Sequence, residues 1–188
     1  MAEFWSNPGT EPKRSYRWIM RMNINGPNAI DEWLIKTVNR PSWSLSESSH
    51  VFINHTFYYP GRVQYNDLSV TLVDSVSPNA GVNMMNLLAA SGYITPDRAA
   101  EGDYRTVSKA GWQEAGLGGV QLVQLDEDNQ PLETWQFYNA WIKSCDLGQL
   151  SYDSDELLNI SLTLRYDYFK IGSSANLPNP NIATVFRS

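Results

Sequence analysis

From Leu158 to Tyr168 the chain alternates without interruption: Leu158, Ile160, Leu162, Leu164, Tyr166 and Tyr168 share one parity, and Asn159, Ser161, Thr163, Arg165 and Asp167 share the other. A period of two is the mark of a half-buried β-strand, because successive side chains leave opposite faces of a sheet. Such a strand has one dry face and one wet face, so the fold must supply a second layer to cover the dry side. The same alternation runs through Tyr16, Trp18, Met20, Met22 and Ile24, set against Arg17, Arg21 and Asn23, until "NGPN" at 25–28 closes it with turn chemistry. The run "EWLIKTV" follows. Further on, "VQLVQL" and "ETWQFYNAWIKSC" flank the Asp, Asn and Pro-rich "DEDNQP", which together predict a β-hairpin.

"FYYPGRVQYND" at 57–67 is harder to place. Val63 and Tyr65 share one parity, whereas Leu68, Val70 and Leu72 share the other, so the facing switches near Asn66 and Asp67 through a bulge or kink. Pro60-Gly61 forces a bend just before, and "RPSWSLSESS" at 40–49 reads as a polar loop. The stretch is therefore expected to be a loop arm feeding a strand, and its tip carries Phe57, Tyr58 and Tyr59, rings that are costly to leave in water. One helix is predicted after Asp74, with Ser77 as N-cap, Pro78 at the first helical position, Gly92 beyond the C-terminus, and a stripe of Val82, Met85, Leu88 and Ala89. Residues 93–119 carry few signals, 1–14 reads as an N-terminal arm within a single domain over 1–172, and 173–188 reads as an extended C-terminal arm. Six or seven strands to one short helix predict a mainly β fold, an antiparallel sandwich or roll of two sheets.

Charge narrows the function. With a formal net charge of −6 the chain has little to grip nucleic-acid phosphates, which are bound through Lys and Arg. Its single cysteine, Cys145, allows no internal disulfide and no thiolate cluster. In a strand-like run beside Ile142 and Leu147, it is expected to be buried and inert. No run approaches the ~20 apolar residues of a membrane span, and the N-terminal stretch lacks an apolar signal core. His50 and His55, with Glu47 and Asp67 nearby, lack the spacing that would set ligands on one face. "DEDNQP" opens like a calcium loop but has Pro131 and Phe137 where glycine and an acid are needed. Asp153, Asp155 and Glu156 read as a charged turn, and the two N-x-S/T matches, "NHT" and "NIS", carry no weight without secretion. No catalytic residue, cofactor or metal is expected, so the chain is read as no enzyme.

What remains is surface: an aromatic arm, strands with polar faces, and sheet edges that something must cover. At this point the order of motifs becomes recognisable. "HTFYYPGRVQYNDLSVTLVD", a short helix with "SGY", and then "GWQEAGLGGVQLVQLDEDNQPLETWQFYNAWIKSCDLGQLSYDSDELLNISLTLRYDYF" resemble the tail tube proteins of contractile-tailed bacteriophages over roughly residues 16–170. The N-terminal arm and the tail after Ile171 depart from that pattern.

The resemblance implies a β-sandwich subunit forming hexameric rings, with sheets from all copies joined into one inner barrel, and rings stacked into a tube that conducts the genome. It makes 42–66 the inter-ring stacking loop, with Phe57, Tyr58, Tyr59, Arg62 and Tyr65 as contacts, and offers Asn159, Ser161 and Thr163 as lumen-facing candidates. Implied partners are further copies of the chain, the tail sheath protein, baseplate and tail-terminator proteins, and the tape measure protein, with viral DNA passing through the lumen unbound. The implied place is the virion, after assembly in the host cytoplasm. A tube-like baseplate initiator, a terminator or a secretion-system tube would share these features. A carbohydrate-binding sandwich, stacking sugars on Trp43, Trp112 or Tyr59, is the more distant alternative.

Overall fold

In the computed structural model, residues 12–22, 30–77, 79–99, 104–114, 117–153 and 155–173 are described. In chain order the strands are β1 (Trp18–Arg21), β2 (Ile35–Val38), β3 (Trp43–Phe52), β4 (His55–Tyr65) and β5 (Leu68–Val73). They continue as β6 (Val120–Leu125), β7 (Pro131–Tyr138), β8 (Trp141–Asp146), β9 (Asn159–Arg165) and β10 (Tyr168–Ser173). Three helices lie between β5 and β6: α1 (Ala80–Ala90), α2 (Pro96–Ala99) and α3 (Lys109–Glu114). One short helix was expected, and three are present among the described residues. α2 and α3 are too short to show a helical period in the sequence.

The strands form two four-stranded antiparallel sheets, ordered β1-β6-β7-β10 and β2-β5-β9-β8, and a separate two-stranded hairpin, β3-β4. The two larger sheets share one core, in which Met20, Leu122, Trp135 and Phe137 of the first meet Val70, Leu72, Ile160, Leu162 and Leu164 of the second. Burying each such side chain contributes about 1.5–3 kcal/mol, which makes this sandwich the main source of stability. The expected pairing across "DEDNQP" is present: β6 runs antiparallel to β7, and Asp126 Oδ1 closes the turn by accepting from the amides of Asp128 and Gln130.

The longest alternating run is not one strand. β9 ends at Arg165, and β10 begins at Tyr168 in the other sheet. The run "ETWQFYNAWIKSC" divides in the same way, β7 and β8 belonging to different sheets. Both corners sit together: Asn139, with φ of 55°, donates to Asp167 Oδ2 at 2.7 Å, and Lys109 Nζ donates to the same carboxylate at 2.5 Å. Asparagine tolerates that left-handed conformation better than most residues, so it turns the corner cheaply.

α1 begins two residues later than expected. Asn79, not Ser77, is the cap, accepting from the Val82 amide at 2.9 Å, and Pro78 lies outside the described residues. The buried face is Ala80, Met84 and Leu87. Of the expected stripe, Val82, Met85 and Ala89 are exposed and Leu88 is half-buried. Both sets have helical spacing, and only the position of the sheet beneath decides which faces in. Gly92 does follow the helix, at φ of 109°.

The segment 40–49, expected to be a loop, is largely strand β3, because it pairs along its length with β4. The strand breaks at Asn66-Asp67, where the hairpin leaves the sandwich. Tyr65 is half-buried there and packs against Tyr166 and Phe169, with ring centroids 6.1 and 5.4 Å away. Asp67 is held by Lys143 at 2.6 Å and Arg165 at 2.7 Å. Hydrogen bonds first from Lys143 and then from Arg165 hold its carboxyl below the ordinary carboxylate range.

Tyr166 is 3% exposed, and its hydroxyl makes no hydrogen bond among the described residues. A buried hydroxyl without a partner costs about 1–3 kcal/mol, so Tyr166→Phe is expected to be as stable as the parent or more stable by about 1 kcal/mol in urea titration. A loss of more than that would show that the hydroxyl is bonded. Burial pushes this phenol to about 12, so its neutral form stabilises the fold fully below pH 10, and that contribution is lost as pH rises toward 12. The Phe variant is expected to lose that alkaline sensitivity. Asp67 has the opposite sign: its folded pKa is depressed, so its contribution is present above the unfolded value of 3.8 and disappears as pH falls below it. Asp67→Asn is therefore expected to cost about 1 kcal/mol at pH 7 and nothing near pH 2, read from thermal melts.

Candidate assembly interface

The hairpin projects with both faces exposed along nearly its full length. Strand pairing divides its side chains: Trp43, Leu45, Val51, Tyr58, Val63 and Tyr65 share one face, and Phe52, His55, Phe57 and Tyr59 share the other. The expected trio Phe57, Tyr58 and Tyr59 therefore does not form one patch, since neighbouring residues in a strand point to opposite sides. Tyr58 is 65% exposed on the more apolar face. Tyr65 belongs to the root and not to the projecting blade.

Pro60-Gly61 lies within β4, and what the dipeptide sets is a bulge in place of a bend that ends the strand. The register shifts between Leu45 and Glu47, so that Gly61 and Arg62 together oppose Ser46. The Arg62 amide donates to Ser46 Oγ at 2.8 Å. A Cβ on Gly61 would stand 2.9 Å from the Ser46 carbonyl oxygen, so no larger residue fits without moving the strands apart. The Arg62 side chain is exposed on the blade.

At the tip, Ile53 and Asn54 join Phe52 to His55. Ile53 has φ of 53° and is 80% exposed, a costly conformation for a β-branched residue that buries little in the subunit. Val51, Phe52 and Ile53 were not singled out in the sequence. Their signal was the Asn54 turn between the two runs that pair as β3 and β4.

The second sheet has a different character. Its core-facing side is aliphatic, while Ser69, Thr71, Ser144, Ser161, Thr163 and Asn159 occupy the other side, paired across strands as Ser69–Thr163, Thr71–Ser161 and Ser144–Thr163. Asn159 and Thr163 are half-buried among their neighbours, and Ser161 is exposed. Both edge strands, β2 and β8, pair on one side only among the described residues. The four strands alternate in direction, so the two free edges also run antiparallel to each other.

His50 and His55 both lie in the blade, and among the described residues no three His, Cys, Asp or Glu side chains gather as a metal site. Cys145 is exposed, which corrects the expected burial: it pairs with Leu162 on the core-facing side of the sheet, but β8 is an edge strand and no further strand lies beyond it among the described residues. The thiol is still partly desolvated, which raises its pKa. Trp112 is 4% exposed in the core and offers no face to a sugar, whereas Trp43 and Tyr59 are exposed on opposite faces of the blade. Among the described residues, no helix is long and apolar enough to cross a membrane.

No curated protein sequence matches the chain. Among solved structures it is similar to the anti-feeding prophage cap, a tube terminating cap, with a TM-score of 0.63 and 16% identity over 93% of this chain and 100% of that one. It is also similar to a chain of the anti-feeding prophage baseplate, with a TM-score of 0.60 and 19% identity over 87% and 97%. A third similar structure is the PVC sheath-tube complex of an extracellular contractile injection system in its extended state, with a TM-score of 0.57 and 16% identity over 86% and 92%. At such identities the likeness is one of fold. The match that reaches further begins where the hairpin begins and ends in β10: residues 43–170 match the family described as T4-like virus tail tube protein gp19, and the chain belongs to that family.

Proposed function

We propose that this protein is the structural subunit of the inner tail tube of a contractile tail, built from stacked hexameric rings that serve as the conduit for genome delivery. The observation that carries the reading is the hairpin, which exposes large apolar side chains on both faces within the stretch matched to the tail tube family. A blade with two apolar faces is costly in water and is relieved when a second molecule covers it. Assigning 42–66 to ring stacking gives Phe57, Tyr58, Tyr59 and Arg62 that surface, with Tyr65 anchoring its root. The strained Ile53 tip supports the same assignment, since a conformation that costs the monomer is retained where contact with a partner repays it.

The second sheet would form the inner wall. Joining the β2 edge of one copy to the β8 edge of the next preserves antiparallel alternation, and a closed ring leaves no edge open. Its hydroxyl and amide side, including Asn159, Ser161 and Thr163, would then face the lumen. Six copies at −6 each give a ring of about −36, and a wall of short uncharged groups inside an acidic ring lets a polyanion slide where a basic wall would hold it. In this reading the single domain over 1–172 carries the ring, with 1–14 and 173–188 as arms that fall almost wholly outside the described residues. The outer partners are the sheath, baseplate and tail-terminator proteins. Inside run the tape measure protein and then DNA, in a virion assembled in the host cytoplasm. The role calls for no catalysis and no cofactor. A terminal or baseplate tube ring is the second reading, favoured by the likeness in fold to a tube terminating cap over nearly the whole chain.

Negative-stain microscopy at high protein concentration is expected to show rods with a central channel for a tube subunit, and single or double rings for a terminal part. Monomers at every concentration would refute both. Tyr58→Asp is expected to leave the subunit folded and rings intact while shortening rods several-fold, and unchanged rod length would remove Tyr58 from the ring joint. Ile53→Gly relieves the tip's backbone, so the subunit should melt no lower while stacking more weakly.

A further inference from the structure

The two free edges of the second sheet differ in shape. β2 is preceded by a 3-10 turn, Glu32–Leu34, in which Leu34 is buried and Trp33 is 71% exposed. One turn residue is drawn into the core, and its neighbour is pushed out beside the edge. The β8 edge has the opposite form: an apolar groove of about 290 Å³ opens between β8 and α1, lined by Met84, Met85, Leu88, Ile142, Cys145 and Leu147. Met85 and Leu147 are exposed there.

We infer that Trp33 of one copy seats in the methionine-lined groove of the next, as the lateral lock that closes the ring. The inference rests on the ring proposed above and names how its neighbours engage. A ring is made by one contact between two different patches of the same chain, repeated around an axis. Here the two patches lie on opposite edges of one sheet, one convex and one concave, and both are apolar. Thioether side chains adapt their shape and make favourable sulfur contacts with an aromatic ring, which suits an indole better than a rigid aliphatic pocket would. Tryptophan in a desolvated pocket is also the residue most often found to dominate an interface. Within one subunit Trp33 cannot fill this groove, because β2 and β8 are separated by two strands, about 14 Å at ordinary strand spacing.

The exposed Cys145, the chain's single cysteine, provides a reporter inside the groove. In the full-length protein carrying Trp33→Cys, a short bismaleimide replaces the reach of the missing indole and should link the introduced thiol of one copy to Cys145 of the next. A denaturing gel is expected to show a ladder reaching six copies. The double variant Trp33→Cys with Cys145→Ser, holding one thiol per chain, should stop at dimers. Independently, Trp33→Ala should raise the concentration needed for ring formation about tenfold or more by light scattering. Its melting temperature at monomer concentrations should be unchanged. Rings that form normally in Trp33→Ala, with no ladder from Trp33→Cys, would overturn the lock and leave the ring standing. Failure of the unmodified protein to form rings at any concentration would overturn both.

Discussion

Four aromatic rings hold the three sheets of this protein in one arrangement. Tyr65 comes from the hairpin, Phe137 and Phe169 from the first sheet, and Tyr166 from the crossing between the sheets, with centroids 4.9–6.3 Å apart in tilted and edge-to-face geometry. Such pairs contribute beyond the area they bury and prefer defined angles, so the cluster sets a direction as well as a contact. That direction is the hairpin's. A blade joined to the sandwich only through residues 39–42 and Asn66-Asp67 would swing if only the backbone held it. The rings on one side and the Asp67 pairs with Lys143 and Arg165 on the other fix its root.

From that root the subunit divides into a finished part and an unfinished part. The sandwich has a closed apolar core of aliphatic and aromatic side chains. The blade, the β2 and β8 edges, Trp33 and the groove over Cys145 stay open in the subunit, as exposed apolar surface or unpaired strand edge among the described residues. Their distribution is orderly, with edges, knob and groove on the flanks of one sheet and the blade projecting from the body. In the proposed assembly, lateral closure and axial stacking therefore use different surfaces, and a ring can form before it stacks.

The alternation of Leu158–Arg165, the "DEDNQP" hairpin and the facing switch at Asn66-Asp67 were legible because each is local: a period of two and a turn composition are written in adjacent residues. The aromatic stretch at 57–59 was recognisable as unusual for the same reason. Its division between two faces was not, since that depends on a bulge opposite Ser46 and on β3, which a serine-rich composition disguises. Trp33 and the Met85–Leu147 groove left no signal either. They become a knob and a hole only once β2 and β8 lie on opposite edges of a sheet.

The antiparallel β class, the hairpin turn at "DEDNQP" and the family likeness could be read from the residues alone, because they follow from periodicity, backbone preference and motif order within short windows. It took the packed fold to decide where the long alternating runs change sheets, which face of α1 is buried, that Cys145 lies at an edge, and which large apolar side chains stay exposed. Those outcomes depend on contacts between residues far apart in the chain, where burial of one apolar surface excludes burial of another, and no local pattern records which one wins.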